Sequence, residues 1–477
     1  MKGEKKLKSK TYDKFKRDFL SLLNIICMTA LFAFNWFSFY SKQLEEPVGP
    51  VGNTFIVLVF ASIYMLCFIL YGTFRISITH IAELNLNQIL SLAITDTIMY
   101  IVITLMCREL QNLLPGLVML FLQISVAILW SWLVHKWYFA THPSKKTIII
   151  WDARVSLGNM INMYGLENRY NVLKTVHARE CLQDLPGYLD DMEAVFLAGV
   201  HSHDRNKIVK YCINNNIDTY VIPRVGDMIV SAAKPLYLFH MPVMKLERYS
   251  PTVAFTIIKR LGDILVSSIM LILLFPFMLI VAAAIKLTDG GTVFYKQRRL
   301  TVDGKEFDIY KFRSMRMDAE KDGVARLSTG KKDNRVTPIG RFIRMVRFDE
   351  LPQLYNVLKG EMAIVGPRPE RPEIAAEYEA EIPEFHLRLQ AKAGLTGYAQ
   401  VYGRYNTTPY DKLLMDLTYI AHPSLARDLM ICLATIKILF IPESTAGIAE
   451  GARTAIDHVK KSKEFQNIKN ESIDSHG

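Results

Sequence analysis

Four apolar stretches in the first 140 residues, roughly Phe19–Tyr40, Thr54–Phe74, Gln88–Cys107 and Gln111–Val134, carry a single charge between them, Asp96. Each is close to the ~20 residues that a helix needs to cross the hydrocarbon of a bilayer. They are preceded by a basic run that includes Lys2, Lys5, Lys6, Lys8, Lys10, Lys14, Lys16 and Arg17. A cleaved leader does not explain this pattern, because the first stretch is too long and further stretches follow. Positive charge stays on the cytoplasmic side, so four crossings return the chain there at His135-Lys136 and Lys145-Lys146. Asp96 sits where a charge is costly, and it reads equally as a functional carboxyl or as a protonated or hydrogen-bonded packing residue.

With 477 residues and a hydrophobic content of 51%, the chain has material for two or three domains, and the apolar residues are concentrated in particular segments. The net charge of +11 is spread along the chain with no nucleic-acid module, so anionic lipid or a phosphorylated substrate is the expected partner and nucleic acid is not. The six cysteines, Cys27, Cys67, Cys107, Cys181, Cys212 and Cys432, are isolated in sequence and read as reduced structural residues rather than a zinc site.

From residue 145 to 246 the pattern changes to short β-branched runs separated by helical stretches: Thr147–Trp151, a helix near Val155–Tyr164, Ala194–Ala198, a helix near His203–Asn214, and Thr219–Ile222. This alternation predicts a small Rossmann-like α/β domain with a parallel sheet. Its first turn, Trp151 to Gly158, lacks the glycines that let a pyrophosphate approach the backbone, so no dinucleotide is expected.

A fifth apolar segment, Ile264–Ile285, is long enough to span, yet Lys259 and Arg260 precede it and Lys286, Lys296, Arg298 and Arg299 follow it. Basic flanks on both sides and Pro276 near its middle favour a helix that breaks and returns to the same leaflet. Beyond it, Val336–Arg347 places Ile339, Phe342, Ile343 and Val346 on one helical stripe with Arg341, Arg344 and Arg347 off it. The pair Asp349-Glu350 comes next, followed by an apolar run that leads into Gly366-Pro367-Arg368-Pro369. Acids set among clustered cations in a membrane protein suit chemistry on an anionic substrate at a lipid surface.

Six ordered motifs lie between residues 256 and 441. They are Lys259-Arg260-Leu261-Gly262-Asp263, Val293 to Arg299, Tyr310-Lys311-Phe312-Arg313-Ser314-Met315, Asp349 to Leu354, Val365 to Pro369, and Gly394 to Val401. This region resembles the bacterial sugar transferase family, the monotopic phosphoglycosyl transferases. The resemblance implies a membrane protein of α plus α/β class. Its parts would be four N-terminal transmembrane helices (1–140), a Rossmann-like cytoplasmic domain (145–246), a mixed α+β catalytic domain (255–450) with a re-entrant helix at 264–285, and a polar tail (451–477). Phe275 before Pro276, and Ala393 before the glycine motif, depart slightly from the family pattern.

The implied reaction transfers a hexose 1-phosphate from a UDP-sugar to undecaprenyl phosphate, releasing UMP, at the cytoplasmic face of the bacterial inner membrane. It would begin O-antigen, capsule or exopolysaccharide synthesis. Asp349 is the implied nucleophile, and Glu350 would help hold Mg²⁺ or deprotonate the acceptor. Lys311, Arg313, Arg368 and Arg298 are the expected phosphate-binding cations, with Gln297 and Asp416 as weaker candidates. Breaking a phosphoanhydride requires cations on the phosphoryl oxygens and an aligned nucleophile, which these residues supply. A pyrophosphate neutralised by a hard cation on one or two carboxylates suits Mg²⁺ at Asp349 and Glu350. Inner-membrane lipid is the remaining expected partner, and a homo-oligomer is left open. The rival reading is a non-catalytic membrane scaffold or regulator of polysaccharide assembly. Retention of Asp349, Glu350, Lys311, Arg313 and Arg368 argues against it.

Overall fold

The structure is a computed structural model that describes residues 2–44, 46–77, 79–152, 161, 166–317, 319, 335–403 and 407–440. The turn expected after Trp151, nearly all of the helix expected near Val155–Tyr164, and the polar tail 451–477 lie outside the described residues. The chain divides into two compact units, Met1–Ile222 and Pro223–Gly477.

In the first unit the apolar stretches form four helices, α1 (Lys2–Ser38), α2 (Pro50–Leu70), α3 (Ile81–Cys107) and α4 (Leu114–Thr141). Proline in the first turn of α2 and α4 suits a position whose N–H has no helical partner. Phe32, Trp36, Phe60, Tyr64 and Met99 fill the centre of the bundle, with the rings of Phe32 and Phe60 stacked at 4.2 Å. Phe34, Phe55, Leu105 and Phe121 face outward, as lipid contact requires. Each helix also lends one buried polar side chain to a single chain of hydrogen bonds. Tyr64 donates to Asn24 Oδ1 (2.9 Å), Asn24 to Gln88 Oε1 (3.1 Å), and Gln88 to Ser131 Oγ (2.6 Å). Both carboxylate oxygens of Asp96 are buried and have no hydrogen-bond partner among the described residues, so it is not a hydrogen-bonded packing residue there.

After α4 the chain builds a four-stranded parallel sheet from β1 (Lys145–Trp151), β2 (Tyr170–His177), β3 (Ala194–Ala198) and β4 (Asp218–Ile222), in the order β2-β1-β3-β4. Ile148, Ile150, Val195 and Leu197 point into one core with Ile208 and Cys212 of the helix Ser202–Asn214. Three of the strands coincide with the predicted runs. β2 was not among them, and it pairs with β1 through an irregularity between Thr147 and Ile148.

The second unit is organised around the helix Val253–Asp289, 37 residues long. The expected break at Pro276 does not occur, because Pro276 lies inside one continuous helix. Proline removes a single donor and displaces one turn, and a helix of strong formers can bend there without ending. Only 6% of the apolar window of this helix is buried, against 28–33% in α1–α4, so most of its surface is bare. Both its ends are nevertheless fastened to the same unit. Lys259 pairs with Asp428 (2.7 Å), Arg260 donates to the carbonyls of Val357 (2.6 Å) and Leu358 (2.7 Å), and Asp263 accepts from Ile364 N (3.2 Å). At the other end Ile285 joins Phe312 and Ile343 in a small core that also takes in Met278, Val281, Ala282 and Phe348.

Around the helix stand an antiparallel pair, Phe294–Leu300 with Glu306–Phe312, and two short parallel strands, Ala363–Val365 and Gly394–Thr396. The helices Pro372–Glu381, Pro409–Ala421 and Leu425–Ile438 enclose the main core of Val365, Ile374, Tyr378, Leu413, Leu417 and Ile431. The basic helix predicted over Val336–Arg347 is confined to Pro338–Met345, where Thr337 caps it by accepting from Gly340 N. Its stripe divides: Ile343 is buried, while Phe342 remains 59% exposed.

Candidate active site

Asp349 and Glu350 lie on the short 3-10 turn Phe348–Glu350, which follows Arg347 in the left-handed region (φ 56°). A non-glycine residue there is uncommon, and it turns the chain sharply out of the preceding helix, setting both acids near Lys311 and Arg368. Opposite them, the strand Glu306–Phe312 presents Lys311, whose Nζ is 3.0 Å from Glu350 Oε1. A third element brings Arg368, whose NH2 donates to the same oxygen at 3.2 Å. Two of the expected cations and both expected acids therefore meet.

The loop bearing Arg368 is set by close backbone packing. A Cβ on Gly366 would lie 2.2 Å from Lys392 O, and one on Gly394 would lie 2.1 Å from Gly366 N, so neither site has room for a side chain. The two short strands can then run side by side, with Gly366 N donating to Thr396 O (2.9 Å).

The acids of the pair differ in environment. Burial alone would raise Glu350, but Lys311 and Arg368 overcome it and hold this carboxyl well below the usual range. Asp349 is pushed up to about 6, first by burial and then by the adjacent Glu350 charge, with Lys311, Arg344 and Arg368 acting against the rise. Burial draws Lys311 below the ordinary lysine range, opposed chiefly by Glu350. Glu350 is thus a committed anion, whereas Asp349 has no hydrogen bond or ion pair among the described residues.

The other expected cations lie elsewhere. Arg313 is buried, and its Nε donates to Thr292 O (2.6 Å), tying the strand end to the segment after the long helix. Arg298 is exposed and pairs with Glu306 (3.5 Å). In the antiparallel register Lys311 sits opposite Tyr295 and Arg298 opposite Asp308, which places Arg298 on the other face of the ribbon from Lys311. Its neighbour Arg299 is on the Lys311 face instead. Arg299 donates to Pro369 O (3.0 Å) and to Gln297 Oε1 (2.6 Å), and Asp416 is buried against Arg388 (2.6 Å).

Arg299, Glu370, Arg388 and Lys412 were not anticipated. Burial opposed by Arg388, Lys412 and Arg299 leaves Glu370 below the usual carboxylate range, so these residues form a charged layer behind Arg368. Adjacency to Arg298 and to the Pro-Arg-Pro run was the only sequence signal for Arg299 and Glu370.

Asp349 and Glu350 offer oxygen ligands of the kind that hard cations take. Among the described residues no third histidine, cysteine or acid completes a protein cage. Two carboxylates with the remaining ligands from substrate and water fit Mg²⁺, which is commonly held in that manner.

The sequence pattern of the bacterial sugar transferase family matches residues 254–442. A UDP-N-acetylgalactosamine-undecaprenyl-phosphate N-acetylgalactosaminephosphotransferase of Aeromonas hydrophila is 36% identical over 231 residues, 48% of this chain and 53% of that protein. A UDP-glucose:undecaprenyl-phosphate glucose-1-phosphate transferase of Klebsiella pneumoniae is 42% identical over 193 residues, 39% of this chain and 41% of that protein. A protein of the same description from Caulobacter vibrioides is 40% identical over 199 residues, 41% of this chain and 74% of that protein. The chain thus spans about half the length of the first two of these relatives.

Proposed function

The chain belongs to the bacterial sugar transferase family, and from that premise we propose that it moves a hexose 1-phosphate from a UDP-sugar onto undecaprenyl phosphate and releases UMP. One observation carries this reading: within a single turn, Glu350 is locked between Lys311 and Arg368, while Asp349 beside them has no ion pair among the described residues. An ordinary surface acid pair would have no reason to sit half-buried among cations in this unequal way.

An Asp349 carboxylate oxygen attacks the phosphorus nearest the sugar. The bond from that phosphorus to the bridging oxygen breaks, and the electron pair leaves with UMP. The product is an acyl phosphate that links Asp349 to the sugar. A phosphate oxygen of the polyprenyl acceptor then attacks the same phosphorus, the acyl–oxygen–phosphorus link opens, and the Asp349 carboxylate is restored. Splitting one displacement into two is the advantage of covalent catalysis. Lys311 and Arg368 supply positive charge to the phosphoryl oxygens. Glu350, held far below neutrality, is a poor base and serves as the fixed anion that orients both cations. Mg²⁺, when bound, would neutralise the diphosphate, with Asp349 and Glu350 as its protein oxygens.

Relatives named for UDP-glucose and for UDP-N-acetylgalactosamine support a UDP-linked six-carbon sugar as donor, a hexose or an N-acetylhexosamine. The proposed place is the bacterial inner membrane with the site facing the cytoplasm, as the first membrane step of O-antigen, capsule or exopolysaccharide synthesis. Fastening of both ends of the Val253–Asp289 helix to one unit supports a monotopic arrangement, with both ends on the same side. Single cysteines near Lys259 and near Lys305 should then react with an impermeant thiol reagent only after cells are opened. Labelling of the Lys305 site from outside would establish a fifth crossing.

The decisive experiment uses a panel of UDP-sugars carrying radioactive phosphorus next to the sugar and membranes containing the protein, without acceptor. Label should remain on the wild-type chain with release of UMP, and should be lost in Asp349→Asn. Equal labelling of the variant would remove Asp349 from the reaction.

A further inference from the structure

Pro367, Arg368 and Pro369 form a run in which two of three residues have no N–H, so its backbone is held chiefly through its carbonyls. Each carbonyl meets a donor. Gly394 N donates to Pro367 O (2.9 Å), Arg388 NH2 to Arg368 O (2.8 Å), and Arg299 NH1 to Pro369 O (3.0 Å). The next carbonyl, that of Glu370, accepts from Leu300 N (3.0 Å).

Arg388 is itself immobilised. Its Nε and NH2 both donate to Asp416 Oδ2 (2.8 and 2.6 Å), its NH1 lies 3.6 Å from Glu370 Oε1, and its guanidinium covers the ring of Phe385 at 5.0 Å. Both Arg388 and Asp416 are almost wholly buried, and neither contacts Asp349 or Glu350. Stability does not call for this arrangement, since a buried ion pair is commonly no better than apolar residues of the same volume. What it does supply is a rigid fork with one prong on the backbone of the loop that carries Arg368.

We propose that Arg388 and Asp416 are positioning residues for Arg368, fixing the loop from which its guanidinium reaches Glu350 and the donor's diphosphate. Asp416 orients Arg388, Arg388 holds the Arg368 carbonyl, and Arg299 holds the next one. The inference rests on the reading of Arg368 as a phosphate ligand. Misplacement of such a group by about 1 Å costs on the order of 10²-fold in rate.

The test is a mutant cycle on the full chain in lipid, with UMP release from a UDP-sugar and undecaprenyl phosphate as the readout. Arg388→Met with Asp416→Leu removes the pair without changing net charge and leaves Lys412 and Arg299 beside Glu370, and it is measured alone and together with Arg368→Ala. Residues that act through Arg368 should lower kcat/KM by roughly 30–100-fold in the wild-type background but by less than about 3-fold once Arg368 is alanine. A purely structural pair would cost the same in both backgrounds, and that result overturns the proposal, as does wild-type turnover in the neutral pair. If the neutral pair does not assemble in membranes, Arg388→Lys takes its place with the same two outcomes, because a single ammonium cannot reproduce the fork. Unchanged turnover in Arg368→Ala alone would instead mean that Arg368 does not bind substrate, and both readings would fall together.

Discussion

Two polar clusters of this protein, one buried and one half-buried, are built by opposite rules. In the helical bundle Tyr64, Asn24, Gln88 and Ser131 are uncharged, come one from each helix, and bond to one another in a closed line. In the second unit Lys311, Glu350 and Arg368 are charged, and the neighbouring Asp349 has no ion pair among the described residues. A satisfied neutral network holds helices in register and gains nothing from a ligand. A charged cluster with one unpaired member is costly unless something else completes it, so that member is where chemistry is expected.

The contrast breaks most directly at Asp349. Asp349→Asn keeps shape and removes the proposed nucleophile, and turnover should fall by at least ~10³-fold, as for loss of a nucleophile elsewhere. Activity within tenfold of wild type would make the two clusters alike in kind. Lys311→Met should cost on the order of 10²-fold, comparable to deleting one donor that stabilises a transition state.

Acid should sharpen the same point. Asp349, raised to about 6 without a bound cation, takes up a proton as pH falls through its pKa, so kcat/KM should drop on the acid side and level off above, with the limb below about 6 to the extent that Mg²⁺ on Asp349 favours the carboxylate. An ordinary carboxylate would place that limb near ~4. Lys311→Met withdraws a lowering influence on Asp349 and should move the limb upward. A pH profile of UMP release decides both.

Separating the units is a gentler challenge. A chain beginning at Pro223 keeps every residue discussed at the site and should retain transfer in nanodiscs. If it embeds normally yet releases no UMP, the first unit contributes to the chemistry. Smallest of all, Gln88→Leu cuts two bonds worth ~0.6 kcal/mol each, so thermal stability should fall by about 1 kcal/mol with turnover per folded molecule unchanged.

Much of this architecture was legible in sequence because long apolar runs and fixed motifs are local signals. The four bundle helices, three strands of the parallel sheet, and the meeting of Asp349 and Glu350 with Lys311 and Arg368 are of that kind. What escaped depends on register or on distance along the chain. β2 hides because Lys174 interrupts its alternation and the pairing slips at Thr147/Ile148. Arg298 and Arg299 are indistinguishable until the hairpin register sends one to each face. Arg388 and Asp416 are 28 residues apart, and nothing local marks them as partners. Pro276 and the basic flanks favour a broken helix because proline removes a helix hydrogen bond, yet a helix continuous on both sides loses only one bond there.

Ile285, Phe312, Ile343 and Phe348 share one small core, and two of them stand next to the reacting residues in sequence: Phe312 beside Lys311, Phe348 beside Asp349. How the long helix sits in lipid is therefore felt at the site. A helix with both ends on one side takes the depth and tilt at which lipid covers most of its apolar surface. Because its end is a wall of that core, a change in depth or tilt passes to the strand that carries Lys311 and the turn that carries Asp349. Lipid chain length, with no change in headgroup or substrate, should then tune turnover in reconstituted membranes.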